Sequence, residues 1–381
     1  MTELKKTQVA DAVDQGLEIN EYYGDKEVRW FQIAARNGVY SALEEGVKRI
    51  LIHLPTGAGK TITIACTLDD PRIHEILGIE EDRPLRVLFF AHVHRLLTQA
   101  EETFAAANNV DIKICSAFTP VTDEEVEWAD VAVIDEAHHE AMMSLQNQLD
   151  VVGELPIIGL TATPDRPDGM VIKFETIISP ISRQEAVEQG YLAETSIFSF
   201  VDMSGQDKTE IVCDILTSYG HQMGQTMIFM KTRAEVQRIT DHLIKLGYTA
   251  VGLINQTNKQ MGDELDKFGR GEIQFIVNCA KIGEGVDVAG CTTVLLGRQL
   301  KSYTMLNQYI GRAARPDSDC NIYELINPLS GKNLDTTVVV GTPKSHMLIN
   351  NLNGEFEEHE FDYVGFETGL SEGLNMGHGF G

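Results

Sequence analysis

Leu54-Pro-Thr-Gly-Ala-Gly-Lys-Thr61 joins an apolar run, Ile50–Leu54, to a helical pattern that starts at Lys60. Glycines in a strand-to-helix turn let the backbone wrap a polyphosphate, and amide N–H groups at the helix N-terminus point at it. On that reading Pro55, Thr56, Gly57, Ala58 and Gly59 form the cradle, Lys60 reaches the β and γ phosphates, and the Thr61 hydroxyl binds magnesium. The strict form of the loop, G-x-x-x-x-G-K-S/T, has glycine where this chain has Leu54. A flexible glycine turn with a solvated lysine is the plain alternative, and the strand in front of the loop counts against it.

Outward from this loop, short apolar runs alternate with longer helical patterns, the mark of a parallel-sheet α/β protein. In the first half Ile50–Leu54, Arg86–Ala91, Asp111–Cys115, Asp130–Ile134 and Ile157–Leu160 read as strands. Helices begin at Lys60, His94 and Glu136, and Asp69–Pro84 reads as a polar surface loop. In the second half the strands are Gln225–Met230, Thr249–Leu253, Glu272–Asn278, Thr292–Leu296 and Asn321–Ile326. Its helices fall near Lys208–Gly220, Arg233–Leu246, Lys259–Phe268 and Thr304–Ala314, and no residue-level repeat relates the halves. The boundary is expected within Ile181–Phe198, giving domains 1–190 and 191–364 and a flexible tail, 365–381. Thr336–Val340 reads as one more strand and Leu348–Phe361 as a short β element.

Val131-Ala-Val-Ile-Asp-Glu-Ala-His138 is an apolar strand that delivers two carboxylates at its C-terminal end. Ligands in such sheets sit beyond the carboxyl ends of strands, which places Asp135 opposite the phosphate loop. Asp135 can then orient magnesium through its waters and Glu136 can polarise the attacking water. A lone acidic pair after a strand is otherwise a solvated helix start. Only the first half has a phosphate loop, so the second serves another purpose. There Gln308, Arg312 and Arg315, at i, i+4 and i+7, share one face of a continuous helix. Guanidinium forks suit the charge spread over a γ-phosphoryl group in transfer; a surface helix with solvated arginines is the alternative.

Composition excludes several classes. The 381 residues are 43% hydrophobic and 23% charged, an ordinary globular balance. The longest apolar runs fall far short of the ~20 residues of a membrane span, and Met1 to Ala10 lacks the apolar core of a secretory signal. The six cysteines form no C-x-x-C pair, so no zinc or iron–sulfur signature is present and reduced, buried thiols in a cytoplasmic protein are expected. With 31 basic against 57 acidic residues the net charge is −26, which by itself argues against a polyphosphate partner. Seven carboxylates and no Lys or Arg lie in 354–381, so part of the surplus is an acidic tail.

Taken in order, the motifs resemble those of superfamily 2 helicases and translocases of the DEAH-box type, from about Arg29 to Arg315. The phosphate loop of that family commonly lacks the glycine that Leu54 replaces. Arg29-Trp-Phe-Gln32 resembles its adenine-recognising element, which assigns Arg29 and Gln32 to the nucleotide. Phe90-Ala-His-Val-His-Arg-Leu-Leu97 resembles the segment on the nucleic-acid backbone, with His92 and Arg95 as contacts. Gly159-Leu-Thr-Ala-Thr-Pro164 resembles the coupling motif, which with His138 would act through Thr161 and Thr163. Gly283-Glu-Gly-Val-Asp287 and Gln308-Tyr-Ile-Gly-Arg-Ala-Ala-Arg315 resemble the second domain's motifs, in which Gly285, Asp287, Arg312 and Arg315 meet nucleotide and Gly283 meets the strand. Ala314 stands where glycine is frequent and leaves both arginines in place. Lys231 and Arg233, after a strand, are further candidates for phosphate contacts.

The resemblance implies two tandem RecA-like domains with an ATP site in the cleft between them, ATP and Mg2+ as cofactors, and nucleic acid as partner. The Thr-Ala-Thr-Pro form, Arg29–Gln32 and the Gln184–Leu192 linker resemble DNA repair, phage recombination and restriction-type motors, so DNA is favoured over RNA. An RNA helicase is one alternative. Another is an ATP-gated clamp or loader that acts through a protein partner without unwinding, suggested because the two halves leave no evident wedge or winged helix. The compactness fits a small phage-encoded enzyme in a host cytoplasm.

Overall fold

The structure of the protein is a computed structural model. It describes residues 21–80, 83–91, 103–116, 121–137, 151–153, 155–162, 174–202, 205–279, 288, 290–298, 300, 303–311, 313, 319–326, 336–352 and 355–360. The chain divides into two compact units, the first running to Tyr191 and the second starting at Leu192.

In the first unit a small antiparallel hairpin, β1 (Tyr22–Tyr23) and β2 (Lys26–Glu27), precedes the helix Trp30–Glu44. Six strands then form one sheet: β3 (Arg49–His53), β4 (Leu85–Ala91), β5 (Val110–Ser116), β6 (Val131–Ile134), β7 (Ile157–Thr161) and β8 (Thr176–Ile178). Their order is β5-β4-β6-β7-β3-β8, with every neighbouring pair parallel. Inner strands β6 and β7 are buried along their whole length, whereas the edge strand β5, Val-Asp-Ile-Lys-Ile-Cys-Ser, alternates. This is the difference expected between a strand covered on both faces and one with a wet face. Only β7 separates β3 from β6, so the loops leaving those two strands open side by side at the carboxyl edge of the sheet.

Gly159 in β7 has no room for a side chain. A Cβ there would stand 2.5 Å from Phe174 Cζ and 2.9 Å from Leu51 Cδ1, and Leu51 is fully buried. Gly159→Ala is expected to destabilise the first unit by about 1–3 kcal/mol through overpacking. Urea unfolding checks this as a lower midpoint at unchanged slope.

Among the described residues the second unit holds eight strands: β9 (Thr195–Asp202), β10 (Thr226–Phe229), β11 (Ala250–Leu253), β12 (Phe275–Asn278), β13 (Thr293–Leu296), β14 (Cys320–Ile326), β15 (Ser345–Leu352) and β16 (Glu355–Glu360). The order is β11-β12-β10-β13-β14-β9-β15-β16, parallel except that β16 runs antiparallel to β15. Phe200, Phe275 and Tyr323 of the sheet pack with Ile211 and Ile215 of the helix Lys208–Tyr219 and Val236 and Ile239 of the helix Arg233–Lys245. Tyr309, on the helix Tyr303–Ile310, stacks flat on Phe229 with centroids 3.7 Å apart.

Both units are the α/β, RecA-like parallel sheets of the sequence reading, with local corrections. Asp69–Pro84 contains the helix Arg72–Leu77, which buries Ile73 and ends at Gly78 with φ 67°. The apolar spacing Ile73, Ile76, Leu77 followed by glycine is a helix signal hidden in a polar stretch. Thr336–Val340 is a helical turn, not a strand: Val339 and Val340 N–H both donate to Thr336 O, and Thr336 Oγ1 donates to Glu324. Tertiary anchoring overrides the β-branched propensity there. Asp135 and Glu136 form a turn and Ala137 is 3-10 helical, while the body of the helix expected from Glu136 lies outside the described residues. The first sheet also has a sixth strand, β8, and the second has an interior strand, β9, that was not read from the sequence. The tail, 365–381, and the helix expected from His94 lie outside the described residues. Among the described residues no helix is long and apolar enough to cross a membrane, and all six cysteines are free.

Candidate nucleotide-binding site

The phosphate loop leaves β3 with Leu54 N–H bonded to Thr161 O of β7 at 3.1 Å. Gly57 and Gly59 both adopt the left-handed region, φ 87° and 86°, and Gly59 caps the helix Lys60–Asp69. Two such positions within three residues turn the chain back on itself, which L side chains resist. Lys60 and Thr61 therefore occupy the first helical turn, where N–H groups lack intrahelical partners.

Gln32 holds the loop from beneath. It is 3% exposed; its Nε2 donates to Ala58 O at 3.1 Å and Gly59 O at 3.3 Å, and its Oε1 accepts from Arg29 N–H at 2.9 Å. Two carbonyls on one side and an N–H on the other fix which amide atom is which. A Cβ on Gly59 would lie 2.6 Å from Gln32 Nε2, so the tight turn and the buried amide need each other.

Asp135 and Glu136 follow β6 at the same edge. Asp135 is buried; its N–H donates to Phe90 O at 2.9 Å, and its Oδ1 accepts Glu136 N–H at 3.0 Å. Glu136 is the one non-glycine residue with positive φ, 52°, among the described residues. That turn brings its Oε1 to 3.9 Å from Lys60 Nζ. Burial pushes the Asp135 carboxyl well above the usual carboxylate range, the Glu136 charge adds to this, and Lys60 opposes it. A buried carboxylate costly to ionise alone suits a dication. The hard oxygens of Asp135 and Thr61 match magnesium, which keeps several waters and phosphate oxygens rather than a full protein cage. Among the described residues no group of three His, Cys, Asp or Glu forms a metal cluster.

At the head of the helix Trp30–Glu44, Arg29 lies over the Tyr191 ring, 5.1 Å from its centroid. Tyr191 was not read from the sequence, and its distance of 162 residues from Arg29 left no local signal. His53 was also missed: its Nε2 lies 3.2 Å from Ala162 O and its Nδ1 2.9 Å from Ser179 Oγ, bridging the strands on both sides of β3.

Of the remaining candidates, Thr161 ends β7, fully buried, beside His53 of β3. Lys231 and Arg233 are exposed after β10, where Glu235 Oε2 accepts the N–H groups of Lys231 and Thr232 and fixes the turn. Gln308 lies on the helix Tyr303–Ile310, and the rest of the expected face, Arg312 and Arg315, lies outside the described residues. Gly311 N–H still reaches Asn307 O, and Ala313 N–H turns to Ile310 O. His92, Arg95, His138, Thr163, Gly283, Gly285, Asp287, Arg312 and Arg315 lie outside the described residues.

Comparison with known proteins adds the family. Residues 25–125 match the model described as type III restriction enzyme, res subunit, and residues 207–317 the model described as helicase conserved C-terminal domain. The chain is 25% identical over 369 residues to a protein of Saccharomyces cerevisiae named as a candidate ATP-dependent helicase, IRC3, covering 82% of this chain and 53% of that one. It is 24% identical over 378 residues to the type I restriction enzyme EcoAI endonuclease subunit of Escherichia coli, covering 78% and 45%. The chain thus spans about half the length of these curated relatives. A fragment of a candidate HsdR subunit of a type I restriction enzyme from Vibrio vulnificus shares the fold, with TM-score 0.67 and 18% identity over 91% of this chain and 74% of that one. With the phosphate loop and the acidic pair at one sheet edge of the first unit and a helicase C-terminal module in the second, the chain belongs to the superfamily 2 helicases.

Proposed function

We propose that the protein is an ATP-driven, magnesium-dependent helicase or translocase that acts on nucleic acid, with DNA favoured over RNA. The observation that carries the reading is Lys60 beside Glu136, with the buried Asp135 next in the chain, at the edge where the Gly57–Gly59 loop opens. Loop amides and the Lys60 ammonium would hold the β and γ phosphates. Thr61 and Asp135 would hold the magnesium ion, which would offset the negative charge that develops on the phosphate groups. Glu136, with its carboxylate next to Lys60, would accept the proton of the attacking water. Gln308, Arg312 and Arg315 would supply donors to the transferred phosphoryl group, and His138, Thr161 and Thr163 would pass its loss to the rest of the enzyme. Nucleic acid would run past His92, Arg95, Lys231, Arg233 and Gly283.

Support for DNA comes from the form of the Thr161 and Arg29 motifs and from the restriction-type likeness of residues 25–125. Steady-state hydrolysis at low salt with single-stranded, duplex and forked DNA and with RNA tests the reading. Stimulation of at least tenfold by a DNA form, weakening steeply with salt in a chain of net charge −26, is the expected result. Stimulation by RNA alone would move the assignment to an RNA helicase. Hydrolysis indifferent to every polymer would remove the autonomous motor. Stimulated hydrolysis without strand separation or translocation would point to the clamp.

A further inference from the structure

Gln32, the side chain expected to read the base, has both amide atoms engaged beneath the phosphate loop. Arg29 is differently placed. Its backbone is tied to Gln32, while its guanidinium faces the Tyr191 ring at 5.1 Å and donates through Nη1 to Tyr191 O at 3.4 Å. Phe31 meets the same ring edge-on with centroids 5.2 Å apart, and Trp30 Nε1 donates to Gln189 Oε1 at 2.9 Å. Three consecutive residues at the helix start thus grip the segment 189–191, the last of the first unit. Ser182 and Glu185 form a capping box on the helix Arg183–Glu188 just before it, which sets where Gln189 and Tyr191 emerge.

A guanidinium carries five N–H donors, and stacking on an aromatic face fixes its plane without using any of them. We propose that Tyr191 is a positioning residue of the nucleotide site: its ring holds the Arg29 guanidinium in the plane from which the free donors read the acceptor atoms of a purine base. This rests on the ATP reading above. Base recognition would then depend on the Arg29–Tyr191 stack, while the Gln32 amide shapes the loop that takes the phosphates.

Calorimetric titration of magnesium–ATP and magnesium–tripolyphosphate separates the two, because tripolyphosphate has no base. Tyr191→Leu is expected to weaken ATP about fivefold, a loss in the range of a partly exposed cation–π contact, and to leave tripolyphosphate within twofold. Tyr191→Phe, which keeps the ring, should behave as wild type. Arg29→Ala should show the same selective loss, and Arg29→Ala with Tyr191→Leu should lose no more than Arg29→Ala alone. Equal weakening of both ligands, additive losses in the double variant, or an unchanged ATP affinity in Tyr191→Leu would overturn the proposal. If Arg29→Ala leaves ATP unaffected, base reading by Arg29 falls and the proposal with it. If the wild type binds neither ligand, the ATP reading itself has failed, a result distinct from the others.

Discussion

Lys60→Ala is expected to reduce ATP hydrolysis by about 10²–10³-fold, the usual cost of removing one preorganised charge from a site of developing anion. The ammonium faces a demanding environment. Its side chain is 12% exposed, it lies 3.9 Å from Glu136, and it is the cation that opposes the upward displacement of the Asp135 carboxyl. Removing it takes a cation away from two adjacent carboxylates, so Asp135 should hold its proton more tightly and accept magnesium less readily. The fold should survive, because position 60 opens the helix Lys60–Asp69 and alanine suits a helix well. Steady-state phosphate release across an ATP and magnesium series, with a thermal melt as control, checks this. Hydrolysis within tenfold of wild type, with the melt unchanged, would remove Lys60 from the catalytic set.

Much of this site is visible in the amino-acid order because its chemistry is local. Gly57, Gly59, Lys60 and Thr61 act through one turn, and Asp135 and Glu136 through the end of one strand, so spacing alone assembles each half. Parallel topology then brings the halves to one edge with only β7 between them. Contacts at long sequence separation were out of reach. Tyr191 under Arg29 and Ser179 beside His53 are set by where β8 and the chain after it pass, and β8 is three residues with one exposed isoleucine, Ile177. For Gln32 the motif supplies the residue but not its direction, and the contacts of its buried amide with the carbonyls of Ala58 and Gly59 were not legible in it. The Gln308–Arg315 face rests on periodicity alone, since its two arginines lie outside the described residues.

Glu136→Gln is expected to cut kcat by about 10²–10⁴-fold, the range for loss of a general base, while magnesium–ATP still binds. Glu136→Asn should abolish turnover equally and yet raise the melting temperature of the nucleotide-free protein. The reason is backbone strain. Glu136 sits at φ 52°, a region that costs an ordinary L residue roughly 1–2 kcal/mol and that asparagine enters more readily. Either substitution also removes one of two neighbouring carboxylates, which lowers the cost of ionising the buried Asp135. Against this stands the lost pairing with Lys60, long at 3.9 Å and partly open to water, worth about 0–1 kcal/mol. Strain and repulsion together exceed this one pairing, which fits a turn held for what the carboxylate does there. Single-turnover hydrolysis and thermal melts of both variants give the two readouts. A kcat within tenfold of wild type would strip Glu136 of its role, and a melting temperature lower in Glu136→Asn than in Glu136→Gln would refute the strain.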